Sequence, residues 1–187
     1  MMIPDRSKVE RDLRCFAAKF VLGIYQSWDL PPLADELLDR GLYSPSLHEL
    51  AMAKHAIMSD AGPLLIKALG ELGVSVPSRD EAAWAMARMN IEQMCKDGEH
   101  SPEVAVYELW KTVGQNRDVA AIEGDHGAGL DVREFFDVCR SYEELDWDAE
   151  EQNESSKMDL AARRLAVDAR ARALAAAWLA RHPSQGM

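Results

Sequence analysis

The chain has 187 residues, of which 48% are hydrophobic and 28% charged, and its formal net charge is −11. That composition is globular and excludes wholesale disorder, and the length suits a single domain, 1–187. A field of this sign repels phosphate backbones and anionic headgroups, so nucleic acid is not expected as a direct ligand, and charges break every apolar run before the roughly 20 residues that a membrane span needs.

The first stretch, Met1 to Arg14, is interrupted by Pro4, Asp5, Arg6, Lys8, Glu10, Arg11 and Asp12 and has no apolar signal-peptide core, which points to a cytoplasmic protein. Ser7-Lys8-Val9-Glu10 has the form of a capping box and opens a helix. Val9, Leu13, Phe16, Ala17, Phe20 and Ile24 recur at helical spacing and extend its apolar face to about residue 27. Pro31-Pro32 opens a short second helix bearing Leu33, Leu37 and Leu38, which Gly41 ends.

A second box, Ser46-Leu47-His48-Glu49, predicts a helix with Leu47, Leu50, Ala51, Ile57 and Met58 on one face. Asp60 is expected to cap the next helix, with Pro63 in its first turn, Leu64, Leu65, Ile66, Leu69 and Leu72 as its apolar surface and Gly73 as its end. Ser78-Arg79-Asp80-Glu81 is a third box, leading to Trp84, Ala87, Ile91, Met94 and Cys95 along one side before Asp97-Gly98. Ser101-Pro102-Glu103 starts a helix with Val106, Leu109, Trp110 and Val113, and Gly114 terminates it.

From Gln115 to Leu130 the periodicity fails, and Gly124, Gly127 and Gly129 mark a long loop. Asp131 is expected to cap a helix carrying Val132, Phe135, Phe136, Cys139 and Tyr142. An acidic run with Trp147 inside it then precedes a long Ala- and Arg-rich helix, placed within 148–181. That helix carries a stripe of Leu160, Val167, Leu174 and Trp178, with Met158 and Leu165 beside it. Asp159 with Arg163 and Asp168 with Arg172 have the spacing of favourable ion pairs, and acids gathered before the helix start complement its dipole.

Chemistry-bearing patterns are sparse. His48 and His55 are seven residues apart, two helical turns, too far to share one ion without outside ligands, so no metal site is expected. Gly124-Asp125-His126-Gly127-Ala128-Gly129 lacks the glycine spacing and the lysine of a phosphate-binding loop; if it works as a catalyst, Asp125 orienting His126 as a general base is the pair to test. Cys15, Cys95 and Cys139 lack paired spacing and are expected as reduced thiols packed among apolar neighbours. Met52, Met58, Met86, Met89 and Met94 are either core filler or an adaptable binding face.

The strongest surface feature is the acidic run. Glu143, Glu144, Asp146, Asp148, Glu150 and Glu151 surround Trp147, and carboxylates about an aromatic anchor suit a basic protein partner. If Trp147 instead turns into the core, the same run is only a solvated helix entry.

Between about Leu33 and Trp147 the phrasing resembles uncharacterised bacterial helical proteins, some similar to immunity proteins of polymorphic toxin systems. The similarity rests on Gly41-Leu42-Tyr43-Ser44-Pro45-Ser46-Leu47-His48-Glu49-Leu50-Ala51, on Ala68-Leu69-Gly70-Glu71-Leu72-Gly73 and on Gly98-Glu99-His100-Ser101-Pro102. These are helix-punctuation motifs and carry no catalytic residues; the resemblance implies a non-enzymatic binding protein, without a cofactor, that neutralises a toxin. The expected fold is all-α, a compact array of about seven or eight helices whose long C-terminal helix packs on the rest or on a second subunit to make a homodimer.

Overall fold

The computed structural model describes residues 6–96, 101–115, 129–151 and 157–183. Among the described residues there are eight α-helices and no strand, so the fold is all-α. Backbone contacts divide the chain into two compact units, Met1–Ala82 and Ala83–Met187.

The first unit contains α1 (Arg6–Val21), a 3-10 turn (Ser27–Asp29), α2 (Leu30–Asp39), α3 (Pro45–Met52) and α4 (Met58–Glu71). Leu13, Phe16, Leu30, Leu47, Leu50, Leu65 and Leu69 meet in one core with alanines between them. Burying such a side chain contributes about 1.5–3 kcal/mol, which is what holds these short helices together. α2 ends as its sequence predicts. Gly41 takes φ +82, its N–H reaches the Leu38 carbonyl at 2.9 Å and Leu42 N–H reaches Leu37 at 3.0 Å, a Schellman closure. Gly73, at φ +79, closes α4 with the same pair of bonds, from Gly73 to Gly70 and from Val74 to Leu69.

Several boundaries in this unit differ from expectation. α1 stops at Val21 because Gly23 N–H and Ile24 N–H close it on Phe20 and Lys19, which leaves Ile24 outside the apolar face and exposed. α3 is capped by Ser44, whose hydroxyl accepts from Leu47 N–H at 3.1 Å, because Pro45 holds the first helical position and keeps Ser44 extended. Ser46, expected as the cap, instead donates from its N–H and its hydroxyl to Glu71 (3.1 and 2.8 Å), tying the start of α3 to the end of α4.

α4 begins at Met58, with Ile57 as its cap and Pro63 inside it. Ile57 and Met58 are therefore exposed at a helix start and do not share the buried face of α3. No Gly or Pro marks the break between Met52 and Met58. Leu47 and Leu50 on α3 and Ala61 and Leu65 on α4 must face one core, so the chain reverses there.

The unit boundary falls inside α5 (Arg79–Met94). Its capping box forms as predicted: Glu81 N–H donates to Ser78 Oγ (3.3 Å) and Ser78 N–H to the Glu81 carboxylate (2.7 Å).

The second unit continues with α6 (Pro102–Leu109), a π turn (Trp110–Gly114), α7 (Arg133–Glu151) and α8 (Lys157–Arg181). Ser101 caps α6 through Val104 N–H at 3.3 Å. In the π turn Gln115 N–H reaches back to Trp110 O at 2.9 Å, and a Cβ on Gly114 would lie 2.7 Å from Cδ1 of Trp110, so only glycine fits there without displacing the indole. α6, α7 and α8 pack together, and Val106, Leu109, Val138, Tyr142, Ala171 and Trp178 on them are fully buried. Two of these carry polar tethers: Tyr142 Oη donates to Asp168 at 2.7 Å, and Trp178 Nε1 donates to Leu130 O at 2.8 Å. Asp131 stands at φ +55, and its carboxylate, expected at the start of α7, receives Arg181 at 2.8 Å.

Candidate partner-binding surface

The acidic run does not precede α8 as a helix entry. It forms the second half of α7, a 19-residue helix with no basic residue in its last turn. Tyr142 and Leu145 are buried and fix the rotation of this segment, so Glu143, Glu144 and Trp147 point outward. Trp147 is 73% exposed, so it is a surface residue and not a core one.

Acids at the C-terminal end of a helix meet the negative end of its dipole, and Glu144 faces the like charge of Asp148 one turn on. Arginines from α8 offset both effects. Arg163 pairs with Asp148 at 2.8 Å, while Arg164 Nη2 bridges Asp146 at 2.7 Å and Glu103 of α6 at 2.8 Å. Partial burial works against the charge on Arg164, but Glu103 and then Asp146 outweigh it and the guanidinium pKa is raised. Tyr107 lies in the same electrostatic neighbourhood. Burial first, then Cys139, Glu143, Asp146 and Glu103, push its phenol up to about 12.

The acidic residues thus divide. Asp146 and Asp148 are engaged by α8, Glu143 and Glu144 are exposed with no ion pair among the described residues, and the side chains of Glu150 and Glu151 lie outside the described set. Arg163, Arg164 and Glu103 also belong to this surface, although the sequence does not mark them as part of it. Linear spacing pairs Arg163 with Asp159 on its own helix, and nothing in it brings Glu103 across from another helix. Asp168, expected to pair with Arg172, accepts from Tyr142.

The other candidates separate cleanly. Of the C-terminal stripe proposed for a dimer, Trp178 is fully buried and Leu160, Val167 and Leu174 are half-buried, on a helix that packs against α7 of the same unit. The outward residues of α8 are mostly alanine, with Leu165 exposed among them. Met86 and Met94 are core, Met89 is half-buried, and Met52 and Met58 are exposed. Cys139 is buried, but Cys95, expected in an apolar face, is exposed, because the helix ends at Met94. His48 and His55 are both exposed, and among the described residues no group of three His, Cys, Asp or Glu is placed to hold a metal. Asp125 and His126 lie outside the described residues. No described helix is long and apolar enough to cross a membrane. Comparisons with family models, with curated proteins and with solved structures find no match.

Proposed function

We propose that the chain is a non-enzymatic binding protein that captures a basic protein partner through the outward face of α7, with Trp147 as anchor and Glu143 and Glu144 as steering charges. The observation that carries this reading is the exposure of Trp147 next to two exposed glutamates on an otherwise well-packed helix. A large aromatic in water beside unneutralised carboxylates suits a desolvated hot spot, and its ring face also accepts an arginine or lysine. Its most concrete form is an immunity protein that occludes the basic cleft of a cytosolic toxin such as a nuclease, where an anionic helix competes with phosphate.

Co-purification with the product of the neighbouring gene, followed by co-expression, tests it. On this reading the chain binds that product and rescues growth. Glu143→Lys with Glu144→Lys slows association and flattens its salt dependence, and Trp147→Ala chiefly hastens dissociation. A harmless neighbour that does not bind removes the immunity reading. A partner held equally well by all three substitutions removes the α7 surface.

A further inference from the structure

We draw no further inference here: the strongest candidate, the exposed apolar corner of Met52, Ile57 and Met58 where α3 turns into α4, is a surface patch flanking Lys54 and His55, and nothing in the structure shows what covers it.

Discussion

The unit 1–82 has nine basic and twelve acidic residues, a net −3, whereas 83–187 has twelve and twenty, a net −8. Their interiors differ in kind as well. The first is filled by leucines and alanines and closed at its helix ends by backbone turns and by the Ser46–Glu71 staple. The second buries Tyr142 and Trp178 and steadies each with one hydrogen bond, to Asp168 and to Leu130. An apolar core specifies shape by volume alone. A core with polar tethers also specifies which helix lies against which, since a misplaced Tyr142 or Trp178 would lose its partner and leave a buried group unsatisfied.

Volume should matter most in both units. Leu50→Ala in the first unit should cost about 2–5 kcal/mol and Trp178→Ala in the second about 3–5 kcal/mol, read from urea unfolding. The thiols report on each unit separately: Cys139 is buried and its pKa is pushed up to about 11, by burial first and then by Glu143, while Cys15 is partly buried in the first unit. Labelling at Cys139 should speed up in Trp178→Ala and labelling at Cys15 in Leu50→Ala. Equal acceleration of both thiols by either substitution would show that the units open as one.

At constant volume the units should part. Tyr142→Phe removes a hydroxyl and strands Asp168, and should cost about 1 kcal/mol, while Leu50→Met should stay below about 1.5 kcal/mol with no loss of polar pairing. A double-mutant cycle with Asp168→Ala, which removes the acceptor, separates the tether from general packing. A coupling near zero would mean that Tyr142 acts only as an apolar filler.

How much of this was legible depends on whether the signal is local. Gly41, Gly73, Ser78 with Glu81, and Ser101 with Pro102 act within a few residues, and each ends or starts its helix as the sequence predicts. Ser46 does not cap α3, because its box competes with Ser44-Pro45, where proline decides the matter sterically. The rotation of α7 was open because Trp147 suits a core as well as a surface; burial of Tyr142 and Leu145 resolves it. The Arg164 bridge spans residues 61 apart to Glu103, a tertiary fact without a linear signature.

Acid should weaken the first unit through Glu71 and the α5 cap through Glu81. The Ser46 N–H, with the Ser44 and Ser46 hydroxyls, lowers the Glu71 pKa, and the Ser78 N–H and hydroxyl lower that of Glu81. A carboxylate with a depressed folded pKa contributes its stability above the unfolded value, about 4.3, and loses it as pH falls through the folded value. Glu71→Gln should therefore reduce stability at neutral pH and flatten its decline below about pH 4.3, followed by circular dichroism. An unchanged acid limb in Glu71→Gln would remove the staple from the account.

The smallest effect is the one that most directly probes charge in the second unit, because salt acts on it in two opposing ways. Like-charge repulsion along α7 operates over distances comparable to the Debye length, which falls from about 30 Å at 0.01 M to about 10 Å at 0.1 M. The α7–α8 ion pairs are in contact at 2.7–2.8 Å and are screened less, although their side chains are 40–51% exposed and such surface pairs contribute at most about 1 kcal/mol. Screening of the repulsion should therefore win, so that the second unit gains a few tenths of a kcal/mol over this salt range while the first, at net −3, scarcely changes. Arg163→Ala releases Asp148 and leaves the repulsion along α7 with less to offset it, so this variant should be less stable at low salt and gain more from added salt than the parent. Cys139 labelling across the salt series measures both, and a parent that loses stability as salt rises would show that the contact pairs, not the repulsion, dominate the end of α7.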